Sequence, residues 1–285
     1  EGKTKSFTRI LLFCLFLIVP IWFLNGFRFW TATHVFLFGL LPYLLEGKKK
    51  SLIWCFLTPF LIHYSLLIAI VPLGIYLLLG NRIKYYFILF IVSVFISNID
   101  INQFNNLISN YAPEILIERS DSYRGEEKVA AYRNTESTDV SVWYAKYYTK
   151  TLNYVLVFFL IYIYTFNKKE LLKNNNKTYL RFLGFTFLFM SIANVMSTIP
   201  SGGRFLYLAN LLAIILIILI FQNYPTTKTL KKLSFFASLF LIFFIVVALR
   251  LSLYSVSVMT IFGNPLTAIL TFGNNWAIND IIKGF

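Results

Sequence analysis

Charged residues are scarce in this chain of 285 residues, and acidic residues are the scarcer sign. Only 13% of positions are charged, whereas a soluble domain holds about one-quarter. Runs such as 211–221 and 233–249 are almost wholly apolar, and they do not alternate as barrel strands would. Such runs are stable in hydrocarbon as helices, which satisfy their own backbone groups. The composition excludes a soluble protein and predicts an all-α, polytopic transmembrane helix bundle.

The sequence also lacks the motifs of common nucleotide-dependent and hydrolytic enzymes. We find no Walker A motif, no Gly-x-Gly-x-x-Gly, no Gly-x-Ser-x-Gly and no His-Glu-x-x-His. Cys14 and Cys55 lie inside apolar runs, and their spacing suggests neither a disulfide framework nor a metal site. His34 and His63 have no acid nearby at ligand spacing, and His34 is interpreted as a structural residue. We therefore expect no metal and no cofactor.

The formal net charge is +14, which in a soluble protein would suggest nucleic acid as a partner. Here most lysines lie in short gaps between apolar runs, so the positive-inside rule explains them and no nucleic acid is expected. Placing these gaps and the N-terminus in the cytoplasm requires an even number of crossings between successive gaps. The lysine gaps are 46–50, 80–84, 167–177 and 226–232.

This parity predicts a single integral membrane domain over 1–285, with an external loop inserted at 98–148. The N-terminal Glu1 suggests that a preceding segment is missing. Residues 51–79 are short for two crossings, so we predict a helical hairpin there, broken near Pro59 and Pro72. The crossings are predicted at 10–29, 31–45, 51–63, 65–79, 85–99, 151–166, 179–200, 205–224 and 233–255.

Most arginines fall on the opposite, outer side in this topology. Inserting an arginine there costs free energy, so a functional role is expected. The planar guanidinium binds phosphate or carboxylate through two hydrogen bonds, so several arginines together favour a diphosphate site. Arg28 is either part of such a site or an interfacial residue beside an aromatic belt. Arg204 follows Gly202 and Gly203, which form either an anion cradle at a helix start or a simple turn. Arg250 lies deep in an apolar run, which predicts a cavity or a carboxylate beside it.

His63 is predicted at the tip of the hairpin. It is either a structural residue that forms hydrogen bonds, or a functional residue that donates a hydrogen bond to phosphate or carries a proton. The acids of the external loop are candidates for a general base, with the alternative that they are solvated loop charges. The best candidates are Glu114, Glu118 and Asp121, because they flank Arg119 and Arg124. Those two arginines are further candidates for binding the diphosphate.

Three short motifs make the chain similar to the EpsG family, which groups with the Wzy-like polysaccharide and O-antigen polymerases. Asn25-Gly-Phe-Arg28 resembles the family's arginine at a helix end, and Phe60-Leu-Ile-His63-Tyr-Ser resembles its F-x-x-H-x-S segment. Gly203-Arg204-Phe-Leu-Tyr207 resembles its downstream arginine motif. The resemblance covers most of the chain and implies Arg28, His63 and Arg204 as site residues.

The resemblance implies a glycosyltransferase of the bacterial plasma membrane, with its active face external or periplasmic. It would join oligosaccharide units carried on undecaprenyl diphosphate into exopolysaccharide, capsule or O-antigen, without a nucleotide sugar or ATP. Stabilisation of the diphosphate by arginine is favoured over stabilisation by a metal. The implied partners are this lipid-linked oligosaccharide, the bilayer and other polysaccharide-assembly proteins. A flippase or transporter of the same lipid-linked oligosaccharide and an O-antigen ligase stay as alternatives. The outward arginines favour an enzyme over a flippase, and the absence of an internal repeat weighs against a transporter.

Overall fold

A computed structural model describes residues 2–18, 27–96, 143–166, 177–198, 202–223 and 227–255. Within these ranges the chain is α-helical with short 3₁₀ turns and has no strand, which confirms the predicted fold class. The helices are α1 (Gly2–Ile18), α2 (Phe27–Glu46), α3 (Leu52–Leu61), α4 (Leu67–Leu79), α5 (Ile83–Ile96), α6 (Trp143–Phe166), α7 (Lys177–Met196), α8 (Gly203–Asn223) and α9 (Lys228–Ser255).

Four of these helices are long and apolar enough to cross a membrane, which identifies a membrane protein. They comprise Tyr147–Phe166, Lys177–Met196, Gly203–Asn223 and Lys228–Ser252. The described helices group into two compact units. The first contains α1, α9 and α6 as far as Val155, and the second contains α2 to α5, α6 from Leu156, α7 and α8. The predicted single-domain organisation stays a prediction.

In the first unit, α1 packs along α9. The ring of Tyr148, near the start of α6, stacks on Phe244 of α9 with centroids 5.7 Å apart. Helix α6 begins at Trp143, whereas the sequence placed the external loop as far as 148. The first turns of α6 are rich in tyrosine and tryptophan, which suit a helix at a membrane interface as well as a loop. Periodicity alone does not separate those two environments.

The second unit contains the predicted hairpin, and its two arms are α3 and α4. Helix α3 runs antiparallel to α2, since Cys55 Sγ donates to the carbonyl of Phe36 at 3.3 Å and the ring of His63 lies 5.6 Å from that of Phe29. Helix α4 then returns to the far end of α2. There the Tyr76 hydroxyl donates to the Arg181 carbonyl at 3.0 Å, and the Arg181 guanidinium donates to the Tyr43 carbonyl at 3.1 Å.

The two short arms confirm the hairpin and the position of His63 at its tip, but the predicted breaks near Pro59 and Pro72 are wrong. Pro59 and Pro72 lie inside α3 and α4, while the chain leaves the helix at Ile62 and His63. A proline is tolerated within a helix where neighbouring helices accommodate the missing hydrogen bond, and both prolines are buried. His63 has extended backbone angles (φ −153°, ψ 110°), which turn the chain at the tip.

A correction also concerns Arg28, which the sequence placed at the end of the first crossing. Helix α1 ends at Ile18, and Arg28 lies in the first turn of α2. The run 10–29 is almost continuously apolar, so hydropathy does not separate the two helices. Pro20 and the Asn25-Gly26 pair were the available signals for a break, since both disfavour a continuing helix.

Helices α5 and α7 run parallel in the second unit, and each begins at the end where Arg181 lies. The Asn81 side chain donates to the Leu180 carbonyl at 3.0 Å near the start of both helices. Farther along, the Asn194 amide donates to the Ser93 hydroxyl at 3.0 Å, with both side chains buried. Helix α6 runs the opposite way, because Tyr164 near its end stacks on Phe87 near the start of α5. The lysine-bearing connections at 46–50 and 80–84 therefore lie at one end of this unit.

Gly39 allows α2 and α3 to approach closely. A β-carbon at Gly39 would lie 2.8 Å from the Ser51 carbonyl oxygen and 2.9 Å from Trp54 Cβ. We expect Gly39→Ala to destabilise the protein by about 1–3 kcal/mol, because α3 must move away from α2. Thermal unfolding in detergent measures this as a lower midpoint.

Gly74→Ala is the matched control for Gly39→Ala. Gly74 lies in the middle of α4, and no described residue outside its own helical turn lies within 4 Å of the β-carbon it would gain. Alanine favours a helix over glycine by about 1 kcal/mol, so this variant should not lower the midpoint. Equal midpoints for the two variants would contradict the close contact at Gly39.

Candidate functional site

The tip of the hairpin and the starts of α2 and α8 meet at one end of the second unit. Arg28 lies in the first turn of α2, His63 at the tip, and Arg204 in the first turn of α8. This end is opposite the one where Arg181 binds Tyr43. Three residues separated by 35 and 141 positions in the sequence thus occur together. We name Arg28, His63 and Arg204 the cationic cluster.

Phe29 contacts both His63 and Arg204 of the cationic cluster, and only 1% of this residue is exposed. Its ring makes edge contacts with the rings of His63 and Phe205, at 5.6 and 5.9 Å between centroids. The guanidinium carbon of Arg204 lies over the same ring, 5.7 Å from its centroid. This distance is typical of a cation–π interaction. One buried aromatic ring therefore contacts the hairpin tip and the start of α8 at the same time.

A second aromatic pair lies next to Phe29. Trp30 of α2 and Tyr207 of α8 are in edge contact at 5.8 Å, and both residues are partly exposed. The Trp30 ring also contacts Phe29 at 4.9 Å. The starts of α2 and α8 are thus joined by two layers of aromatic contacts, which limits movement of the arginines that these helices carry.

The cationic cluster is electrostatically prepared for an anion. Burial, followed by the charges of Arg204 and Arg28, lowers the pKa of His63, which lies outside the helices. The imidazole is therefore neutral at neutral pH. Arg28 and Arg204 are both exposed, so their guanidinium groups are accessible to a ligand. Two arginines beside a neutral histidine provide positive charge and N–H donors together.

The neighbouring serine determines which nitrogen of His63 carries the proton. The backbone N–H of Ser65, which is only a donor, lies 3.3 Å from His63 Nδ1, and the Ser65 hydroxyl lies 2.7 Å from it. This hydrogen-bond network assigns Nδ1 as the acceptor, so Nε2 carries the proton of the neutral ring. His63 therefore has an N–H donor on the nitrogen that faces away from its own backbone turn.

The start of α8 presents the positive end of a helix dipole beside Arg204. The backbone N–H of Phe205 donates to the Gly202 carbonyl at 3.0 Å, and the helix begins at Gly203. A helix N-terminus favours a bound anion, so it adds to the charge of Arg204.

The other candidate site residues belong to the first unit or lie outside the described residues. Arg250 belongs to the first unit, where its exposed guanidinium lies over the ring of Tyr144, 5.0 Å from the centroid. This aromatic face stabilises the charge of Arg250, and the predicted cavity or carboxylate beside it stays a prediction. Five candidates lie outside the described residues: Glu114, Glu118, Asp121, Arg119 and Arg124. His34 donates from Nδ1 to the Trp30 carbonyl one turn earlier, 2.7 Å away, which agrees with a structural role.

Comparison with models of known families identifies the family of this chain. The model of the EpsG family matches residues 3–262, which is nearly the whole chain. The chain belongs to the EpsG family. No curated protein and no solved structure matches it. Membership in the EpsG family indicates a polymerase-like role in polysaccharide synthesis, of the kind carried out by glycosyltransferases.

Phe29 and Ser65 were not identified as site residues from the sequence of this EpsG-family chain. A signal existed for each, since Phe29 follows Arg28 directly and Ser65 completes the F-x-x-H-x-S segment. However, the chain has 31 phenylalanines, and the local sequence does not show which one contacts both the hairpin tip and the start of α8. Their roles depend on contacts between helices that are distant in sequence.

We expect Phe29→Leu to weaken binding of inorganic diphosphate at the cationic cluster by about 10-fold, because the Arg204 guanidinium and the His63 ring lose their common contact. Binding is measured by titrating purified protein in detergent. Phe36→Leu is the matched control, since Phe36 is equally buried on α2 but lies two turns farther from His63. Both variants should lose similar stability. An equal loss of binding in the two variants would show that Phe29 acts only through stability.

Proposed function

We propose that this EpsG-family chain polymerises oligosaccharide units carried on undecaprenyl diphosphate, at the outer face of the bacterial plasma membrane. The observation that carries the proposal is the meeting of Arg28, His63 and Arg204 at one end of the second unit. The family relationship supports a role in polysaccharide synthesis, and the cationic cluster supplies the chemistry for a diphosphate donor.

The cationic cluster suits the leaving group of the proposed reaction. The acceptor hydroxyl oxygen attacks the anomeric carbon of the donor, and the bond from that carbon to the diphosphate oxygen breaks. The diphosphate leaves with the electron pair, so its negative charge increases in the transition state. Arg28 and Arg204 stabilise this charge through charge-assisted hydrogen bonds, and the Nε2–H of His63 adds a neutral donor. The energy stored in the donor diphosphate makes a nucleotide or ATP unnecessary.

The acceptor hydroxyl loses a proton in this step, and a carboxylate is the natural base. We propose that it comes from the 98–148 segment, with Glu114, Glu118 and Asp121 as the candidates. This segment holds most of the acidic residues in the chain. Arg119 and Arg124, which lie beside these acids in the sequence, are proposed as further contacts to the diphosphate.

The position of the cationic cluster supports an external site. It lies at the end of the second unit opposite the lysine-bearing connections at 46–50 and 80–84. Lysine-rich connections favour the cytoplasmic side of a membrane, so the cluster would face outward. In that orientation the arginines meet lipid-linked units that have already been moved across the membrane.

A reconstituted assay tests the proposed reaction. Purified protein in liposomes is supplied with lipid-linked repeat units extracted from the source organism, without nucleotide sugar or ATP. We expect a ladder of products that differ by one repeat unit on a gel. Transfer of a single block to a separate lipid core, without a ladder, would instead indicate a ligase. Movement of the lipid-linked unit across the bilayer without any new glycosidic bond would indicate a flippase, and either result would overturn the proposal.

A further inference from the structure

A groove of about 600 Å³ lies between α4, α5 and α7, within the second unit. This volume falls in the range of small-molecule sites. Its walls are almost entirely apolar, and they include Leu89 and Val92 of α5 and Ile192 and Val195 of α7. Leu89 and Val92 are half exposed, so the groove opens at the surface. An open apolar groove on a membrane protein faces lipid chains, because no water is present at that depth.

The groove has a charged residue at only one end. Among the residues that line it, Arg82 is the one with a charge, and it directly precedes the start of α5. The Arg82 side chain is exposed, and its Nε donates to the Leu79 carbonyl at 3.3 Å. A guanidinium has five N–H donors, so donors remain for an anion. Lys84 and Lys177, both exposed, lie near the same end and add positive charge.

The length of the groove corresponds to one leaflet of a bilayer. From Arg82 to Val92 the chain advances ten residues, which is about 15 Å along a helix. The hydrocarbon core of a membrane is about 30 Å thick, so the groove reaches the midplane from the end where Arg82 lies. The parallel packing of α5 and α7 keeps the wall continuous over this length.

We propose that this groove binds one acyl chain of an anionic phospholipid, whose phosphate rests on Arg82. The apolar walls match the chain, and the single cation at the interfacial end matches the negative headgroup. The tail of a polyprenyl substrate fits less well, since its diphosphate would bind the cationic cluster at the opposite end of the unit, whereas Arg82 is the only charged residue among the described residues that line the groove. The proposed lipid site is independent of the proposed polymerase reaction.

Native mass spectrometry of the full-length protein tests the lipid site. The protein is transferred from mixed micelles that contain equal amounts of phosphatidylglycerol and phosphatidylcholine. We expect one retained phosphatidylglycerol per protein and little phosphatidylcholine. Arg82→Gln should reduce the retained phosphatidylglycerol by about 10-fold, because a charge-assisted hydrogen bond is lost. Lys50→Gln removes another exposed cation outside the groove and should leave retention unchanged.

A second pair of variants tests the groove itself. Val92→Trp fills it and should abolish retention of the phospholipid, whereas Val71→Trp should not. Val71 lies on α4 outside the groove and is as exposed as Val92, at 51% against 49%. Circular dichroism checks that both variants are folded.

Three results would overturn the proposed lipid site. One is equal retention of the two phospholipids, and another is equal loss in Arg82→Gln and Lys50→Gln. The third is retention of added undecaprenyl diphosphate in place of phospholipid, with loss in Val92→Trp, which would assign the groove to the substrate tail.

Discussion

Replacing Arg204 with glutamine is expected to slow chain elongation by about 100-fold or more, which is the usual effect of removing one donor that stabilises a developing negative charge. Arg204 is exposed in the first turn of α8 and lies over the buried ring of Phe29, so its guanidinium is held near His63. Glutamine removes both the charge and the planar fork. The measurement is the initial rate of ladder formation as a function of donor concentration.

Arg204→Lys separates the contribution of charge from that of geometry. Lysine retains the positive charge but binds phosphate as a point charge, without two parallel hydrogen bonds. We expect a rate between those of the wild type and Arg204→Gln. Arg9→Gln is the control, since Arg9 is an exposed arginine on α1 in the first unit. A normal rate for Arg204→Gln would remove Arg204 from the diphosphate site.

His63 is expected to act as a hydrogen-bond donor through Nε2, and two substitutions distinguish this role from proton transfer. His63→Ala removes the donor and should lower the elongation rate by about 100-fold. His63→Gln places an amide N–H near the position of Nε2 and should retain a rate within about 10-fold of the wild type. Equal inactivity of His63→Ala and His63→Gln would show instead that the imidazole transfers a proton.

The pH dependence provides a second measurement for His63. Burial and the charges of Arg204 and Arg28 lower its pKa below the ordinary value of about 6.5, so the ring stays neutral as the pH falls through that value. The elongation rate should therefore stay constant through pH 6.5 and fall only at lower pH, where protonation of Nδ1 breaks its acceptor bond to Ser65. The part of the acidic decrease that belongs to His63 should be absent in His63→Gln, whereas a decrease from protonation of the proposed carboxylate base should remain.

The same pKa shift has a consequence for folding stability. Between the lowered pKa of folded His63 and about 6.5, the unfolded chain binds more protons at this residue than the folded protein does. Protonation therefore favours the unfolded state, and this residue's effect on stability becomes less favourable as the pH falls through that window. His63→Gln should lack this contribution. Unfolding midpoints measured above and below the window test the direction.

The hairpin shows what the lysine pattern alone predicts. Lysines at 46–50 and 80–84 require an even number of crossings between them, which predicts two short helices in 51–79. The structure contains them as α3 and α4. The turn at His63 was predicted and is present, but the predicted breaks near Pro59 and Pro72 are absent, because both prolines are accommodated inside buried helices. Tertiary packing therefore determined that the two arms stay helical at their prolines.

The arginines show that local sequence patterns do not determine which residues lie near His63. Arg28, Arg204 and Arg250 are alike in sequence, since each is a cation beside or within an apolar run. In the structure, Arg28 and Arg204 share the surroundings of His63, whereas Arg250 lies over Tyr144 in the other unit. Hydropathy and charge do not distinguish Arg250 from the other two; only the family motifs around Arg28 and Arg204 do, and the contacts themselves depend on which helices pack together.

Composition and lysine spacing are enough to establish a helical membrane protein and its fold class, because hydropathy and charge act along the chain and need no partner. Three short motifs carry the likeness to the EpsG family. The cationic cluster was first predicted from scattered arginines and a histidine, but its formation depends on tertiary contacts. It exists because α3 turns at His63 and because one buried ring, Phe29, contacts both His63 and Arg204. Contacts of that kind join residues far apart in sequence, so packing of the helices determines them.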